Sequence, residues 1–421
     1  MTVPGESRGG RTFGQWFAAF WFVAGFPLSL SSPGATVAMA MAAAYGLVVW
    51  RRGTPLPHDL RRIGKITLPA CLGLFLVDML NGGSVMGNLT TLVDYLPVLL
   101  IPLLAFGYRL SGVSVGTIDR VLMATVALAV AMSVFQLVWH GVPRPGGYNL
   151  NPIPYAFVVM VWGTFLLARG LGELEGRAAA AANLAAFAAL APIVLSGSRA
   201  VWVCTAASYG IVALRWIVGR RSVVAPAAAL LGVAVVVLVS SWSPMVQTRI
   251  AHFWMEADAI AEAGSFGSDG SIGRRVAMIT GGWLAFVDKP ILGNGLAESM
   301  QAVIAHNGPN GPDLSIHTHI HNDYVAHMVA YGIFGLLFLA VYFWLLLRLA
   351  ASSRLQSYAW AGRATAAALA LYMIADIGFN MDPMTGAMAI VAGLLLCFPR
   401  PAEADAAEAL EGRGETRRGP I

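Results

Sequence analysis

Charge is what this chain of 421 residues has least of. Asp, Glu, Lys and Arg together make up 12% of it, where a soluble domain carries about a quarter. That scarcity excludes a globular domain solvated on all sides. Cysteine is scarce too. Cys71, Cys204 and Cys397 all fall inside apolar runs, far apart in sequence, which excludes a disulfide framework and a cysteine-based zinc site. They read as small buried hydrophobes. A cleavable signal peptide is also missing. The first apolar run, Phe13 to Leu30, ends at Ser31-Ser32-Pro33 without a cleavage site and reads as a signal anchor.

Apolar residues are present in abundance, at 57% of the chain with a mean hydropathy of +0.68. Apolar runs recur along the whole length, each able to cross a bilayer core of roughly 30 Å. The pattern predicts an all-α polytopic membrane protein. Twelve spans are expected: 13–31, 34–50, 66–80, 91–107, 119–139, 153–168, 178–195, 200–217, 223–241, 323–348, 361–378 and 384–398. Residues 1–241 then hold spans one to nine, 242–322 a long partly helical loop, 323–398 the last three spans, and 399–421 a tail expected to be disordered.

Net charge is +5, with a pI near 9.3. The basic residues sit in short loops between spans, so a membrane rather than nucleic acid accounts for them. With the N-terminus inside, Arg8 and Arg11, Arg51 to Lys65, Arg109 and Arg120, Arg169 and Arg177, Arg215 to Arg221, and Arg348 to Arg363 all fall on the cytoplasmic side. Both termini are expected inside. Six cations are left on the opposite side: Arg144, Arg199, Arg249, Arg274, Arg275 and Lys289. Any one of them reads as a solvated surface charge. As a set on one face they ask for an anionic partner.

The same face carries the densest polar segment, His317-Thr-His319-Ile-His321-Asn322-Asp323-Tyr324, at the end of the long loop. It admits three readings. Alternating histidines on an extended segment could bind a metal, although no carboxylate or cysteine set lies nearby in sequence. They could be purely structural. Or one imidazole could serve as a general base, since imidazole titrates near neutrality and arginines beside it suit a phosphate-linked substrate. Asp78, Asp94 and Asp376 lie near the outer ends of their spans and could hold arginines or a polar substrate, or simply be solvated there. Outer loops add Tyr148 and Asn149. In the long loop, Val246 to Ala263 reads as amphipathic, with Phe253, Trp254 and Met255 available to rest on lipid. Arg274 and Arg275 open a further helix, where free N–H groups favour anions and guanidinium forks suit phosphate.

Together these residues resemble the O-antigen ligase and polymerase superfamily of lipid-linked glycan transferases. The resemblance rests on Ser198-Arg199, on Gly273-Arg274-Arg275 leading to Asp288-Lys-Pro290-Ile-Leu-Gly-Asn-Gly295, and on His321-Asn322-Asp-Tyr324 followed by Gly332-Ile-Phe-Gly335. It extends from about Pro145 to Phe343, with a GT-C-like plan around it. By position His321 matches the family histidine, with His317 and His319 outside the motif, and Arg199 matches the first family arginine. Counting back from Pro290 selects Arg275 as the second; the Gly-Arg pair selects Arg274. In neither register does the family tryptophan follow, since Met278 and Ile279 stand there.

The resemblance implies an inverting transfer in the bacterial inner membrane, facing the periplasm, with neither metal nor cofactor. The donor would be a glycan on undecaprenyl diphosphate and the acceptor a hydroxyl of the lipid A core, with membrane lipids around both. His321 would take the acceptor proton, Arg199 and Arg275 would neutralise the departing diphosphate, and Asn322 and Asp323 would orient the histidine or the acceptor sugar. An O-antigen polymerase is the alternative within the superfamily. Transfer to protein is disfavoured because the chain ends soon after the last span. A transporter is the alternative from another class, but no internal repeat is seen and the ionisable residues gather at an edge rather than at the midplane.

Overall fold

The structure is a computed structural model. It describes residues 12–31, 33–82, 85–148, 151–220, 270–308, 311–379 and 382–399, and within 247–258 all but 249, 253 and 257. Among the described residues the chain is helical. Eight helices are long and apolar enough to cross a membrane: 34–51, 58–80, 91–111, 115–138, 152–172, 176–195, 199–219 and 333–352. Phe13–Leu28 and Pro383–Cys397 are shorter apolar helices. The expected ninth span, 223–241, lies outside the described residues, as do the tail from 400 and half of the 246–263 segment.

In chain order the helices are α1 (Phe13–Leu28), α2 (Gly34–Arg51), α3 (His58–Leu80), α4 (Val85–Ser111), α5 (Val115–Val138), α6 (Pro152–Gly172), α7 (Gly176–Ala188), α8 (Leu190–Leu195) and α9 (Arg199–Arg220). Then come α10 (Ser271–Asp288), α11 (Ser299–Ala305), α12 (Asp323–Tyr331), α13 (Ile333–Ser352), α14 (Gln356–Ala375) and α15 (Asp382–Cys397). Two expected spans are broken. The seventh divides into α7 and α8 beside Pro192, which lacks the N–H a continuous helix needs. The tenth divides at Gly332, whose φ of +61° reverses the chain between α12 and α13.

The sequence of α6 dictates its place. Asn151 caps its first turn by accepting the Ile153 N–H at 3.0 Å, and Pro152 opens the helix. From there it is apolar all round, the signature of a helix enclosed by others. Accordingly 94% of its span is buried, against 28% for α5, which faces outward. Trp162, at its middle, donates to Ser29, the C-cap of α1, at 2.9 Å, so the one polar atom of that ring is satisfied. Close packing of α2 on α4 runs through Gly46 and Gly107. A Cβ at either would stand 2.2 Å from Leu103 O or 2.4 Å from Ala42 O, the contact that small residues permit between membrane helices.

One end of the bundle is tied by ion pairs. Arg169 grips Asp119 through Nε at 2.9 Å and Nη2 at 2.8 Å, and also reaches Glu173. Arg109 forks onto Asp59. Asp59 begins α3 and Asp78 ends it, about 29 Å apart at the helical rise. The histidines and Asp78 therefore share the far end, where α10, α11 and α12 build a second, smaller core from Met278, Ala285, Val303, Ile320, Val325 and Val329.

Candidate active site

Breaking the helix at Gly332 leaves the last carbonyls of α12 without partners. The turn after α10 supplies them. Asn294 N–H donates to Val329 O at 2.8 Å, Gly295 N–H to Ala330 O at 2.9 Å, and Ile333 N–H returns to Pro290 O at 2.9 Å. The turn is fixed in turn by Asp78, whose Oδ1 accepts the Leu296 N–H at 2.8 Å and whose Oδ2 accepts the Thr91 hydroxyl at 2.6 Å. Asp78 is therefore a clamp on the turn, with both oxygens committed. The Asp288-to-Gly295 and Gly332-to-Gly335 motifs are two halves of one clip holding the short helix in place.

At the other end of α12, Asn322 is the N-cap. Its Oδ1 accepts the Val325 N–H at 3.0 Å and its Nδ2 donates to Ile374 O at 2.9 Å. Asp323 is buried, and its Oδ2 accepts N–H bonds from Gly378 and Phe379 at 2.5 and 2.9 Å. Both residues stitch α12 to the break after α14. Among the described residues, neither makes a hydrogen bond to His321.

Asp376 does. His321 Nδ1 donates to Asp376 Oδ1 at 2.8 Å, and that oxygen also accepts the Ile377 N–H at 3.0 Å. Since a carboxylate only accepts, the bond puts the imidazole proton on Nδ1 and leaves Nε2 with its lone pair. His319 and His317 flank the ring, with centroids 4.6 and 5.2 Å away. Their Nε2 atoms are buried without hydrogen-bond partners among the described residues. Burial, then the charge of neighbouring His321, lowers the proton affinity of both below that of an ordinary imidazole; Arg274 and Arg275 add to the effect at His317. The first turn of α10 is thus electrostatically coupled to the histidine cluster. Among the described residues, Arg274 Nε is buried with no hydrogen-bond partner.

Arg199 opens α9 from the turn Ser196-Gly-Ser198. Gly197 takes a φ of +65° there, and Ser196 Oγ accepts the Ser198 N–H at 3.2 Å. Arg199 Nη2 lies 4.0 Å from Glu256 Oε2, and Glu256 Oε1 in turn accepts the Ser271 N–H at 2.9 Å. One carboxylate therefore bridges Arg199 and the start of the helix that carries Arg274 and Arg275. A cavity of about 490 Å³ lies at this bridge, lined by Arg144, Arg199, Thr248, His252, Glu256 and Ser271.

Residues 184–340 match the family model described as O-antigen ligase. Over that stretch, which is less than half of the chain, it is similar to the O-antigen ligase superfamily. No curated protein matches it at a significant level. The matched stretch contains Arg199, Arg274, Arg275 and His321, whereas Asp376 and Arg144 lie beyond it.

Some of the expected site residues meet at the site and others do not. His321 and Asp376 are brought together; Arg274 and Arg275, in the first turn of α10, act electrostatically on His317, and Arg199, at the start of α9, is linked to that helix through Glu256. Asp94 is half-buried on α4. Tyr148 is exposed, its backbone bridged to Ser31. Asn149 lies outside the described residues, as does Arg249. A metal had been disfavoured for want of a nearby carboxylate. Asp376, distant in sequence, supplies one, and ligand atoms of His319, His321 and Asp376 lie within 4.8 Å of one another. That ground for setting a metal aside does not hold. Glu256 was not read from the sequence at all. Its signal was faint: an acid one residue beyond the exposed Trp254-Met255 pair, on a segment read for its apolar face.

Proposed function

We propose that this protein is an O-antigen ligase, transferring a glycan from undecaprenyl diphosphate to a hydroxyl of the lipid A core on the periplasmic side of the inner membrane. The observation that carries the reading is the His321–Asp376 pair, 2.8 Å apart, next to His317, on which Arg274 and Arg275 act electrostatically. A base with its lone pair on Nε2 takes the proton of the acceptor hydroxyl as that oxygen attacks the anomeric carbon. The C–O bond to the diphosphate breaks on the opposite face, and the configuration inverts. Arg199, with Arg275 or Arg274, neutralises the departing diphosphate, a leaving group good enough to need no strong acid.

In this reading the end tied by Arg169 and Arg109 faces the cytoplasm, in keeping with the positive-inside bias of the loops. The lipid tail of the donor lies along α10, whose Ile279, Trp283, Leu284 and Val287 are exposed. Asp376 directs the histidine tautomer, so His321 needs no metal to act as a base.

The test is transfer by purified protein from a lipid-linked glycan, offered either a lipid A core acceptor or a second lipid-linked glycan. Transfer to the lipid A core, lost in His321→Ala, is expected. Elongation of the lipid-linked glycan instead would make the protein a polymerase. Unchanged transfer in His321→Ala would remove the mechanism.

A further inference from the structure

The end of the bundle tied by Arg169 holds a second cavity, remote from His321 and unused by the reaction. It lies where α6 and α9 finish and α14 begins, and has a volume of about 210 Å³. Leu171, Val212, Arg215, Ser357 and Trp360 wall it, and the exposed Gly219 forms part of its rim.

The polar groups in that wall lack an acceptor. Ser357 is 5% exposed, yet among the described residues its Oγ has no hydrogen-bond partner, and neither has the buried Nε1 of Trp360. Two buried donors left idle beside one cavity cost free energy unless a ligand accepts from them. Positive charge surrounds them. Arg215 and Arg363 both stand over the Trp360 ring, 5.3 and 4.6 Å from its centroid. Gly219 makes room for the first, since a Cβ there would lie 2.7 Å from Arg215 Nη1. The first turn of α14 has no side-chain cap, so its dipole adds to the same field. One carboxylate borders the cavity, and both its oxygens are engaged: Glu173 Oε1 accepts the Ser357 N–H at 3.0 Å, and Oε2 binds Arg169. The rest of the wall is apolar.

We infer that this cavity binds the phosphate of an anionic phospholipid from the adjoining leaflet. Arg215 is its ion partner, Ser357 Oγ and Trp360 Nε1 donate to its oxygens, and Leu171 and Val212 meet the start of an acyl chain. A soluble phosphate would leave that apolar wall uncovered. A zwitterionic lipid would bring an ammonium group to a place whose one carboxylate is already taken. Basic pockets between helices at a membrane face select anionic headgroups for these reasons. The inference needs only a bundle embedded in a membrane, and it stands or falls independently of glycan transfer.

Native mass spectrometry of the purified full chain, titrated with phosphatidylglycerol or phosphatidylcholine of the same acyl chains, tests it. The readout is the ratio of the two affinities within each variant, which a general loss of fold would leave unchanged. In the wild type phosphatidylglycerol should bind about tenfold more tightly, the scale of one charge-assisted hydrogen bond. Arg215→Gln should abolish that preference. Ser357→Ala removes only a hydroxyl, and Trp360→Phe keeps a ring while removing the N–H; each should reduce the preference about threefold, as for one neutral hydrogen bond. Arg120→Gln, at an exposed cation next to Asp119 on the same end, should change it less than about twofold, since a solvated charge is screened. Equal losses in Arg215→Gln and Arg120→Gln would reduce the effect to a general surface field and overturn the inference. So would a wild type without preference, or a preference unchanged in both Ser357→Ala and Trp360→Phe. Inorganic phosphate in excess should leave the lipid bound; displacement of phosphatidylglycerol by it would assign the site to a soluble anion and overturn the lipid assignment.

Discussion

Replacing Asp376 by asparagine would separate what His321 is from how it is held. The two side chains meet at 2.8 Å, and Asp376 is 5% exposed where His321 is 22%, so water does little to replace the bond. A charge-assisted hydrogen bond of this kind contributes about 1.5–3 kcal/mol, which is about tenfold to a few hundredfold in rate if it acts in the transition state. Asparagine preserves size and can still accept the Ile377 N–H, so the fold should survive. It can also donate, however, and would then place the lone pair on Nδ1, turned away from the acceptor. The rate of glycan transfer to the lipid acceptor should therefore fall by that factor at saturating donor, with the donor KM little changed. In a His321→Gln background the same substitution should cost nothing more, because the base it serves is gone. A folded Asp376→Asn protein transferring at the wild-type rate would refute the assignment. So would equal, additive losses in both backgrounds.

Four further outcomes are expected. Gly332→Ala forces a side chain onto a φ of +61° with its Cβ 2.4 Å from Ile291 O; it should cost about 1–3 kcal/mol, seen as a lower melting temperature together with reduced transfer. Breaking the buried Arg169–Asp119 pair with Asp119→Ala should cost about 3–5 kcal/mol, again read as a melting shift, without a specific change in KM. His317 and His319 bind protons less readily folded than unfolded, so the unfolded chain takes up more protons as pH falls. Their contribution to stability is complete above ~6.5 and is lost as pH falls below it; melting against pH should show this slope, flattened in the His317→Gln, His319→Gln double variant. Chelation of divalent cations should leave transfer intact. Activity abolished by a chelator and restored by one cation would make His319, His321 and Asp376 a metal centre instead.

Much of the plan was legible in the sequence because burial in a bilayer imposes a composition that needs no tertiary knowledge. Each expected span among the described residues coincides with helix, and the order of Arg199, the α10 start and His321 was readable as motif. The errors have physical causes. The start of α3 was placed at residue 66 rather than His58 because its first two turns are charged, and charge hides a helix from a hydropathy reading. Gly332 was noted as part of a motif but not as a chain reversal, since glycine alone does not report its φ. The partner of His321 was sought next door in Asn322 and Asp323, yet those side chains were already needed to cap α12 and to close the break after α14. Asp376 was named among three candidate carboxylates, and only the fold could select it. Glu256 escaped because its role depends on Gly270 lacking a side chain.

The chain reversal at Gly332 also separates depth from chemistry. A base carried on a continuous span would rise and sink with the bilayer as that span tilted to match its thickness. Here α12 and the first residue of α13 are both fastened to the turn at Pro290–Gly295 and, through Asp78, to α3. The position of His321 relative to α3 is thereby set by hydrogen bonds within the protein rather than by the tilt of a span.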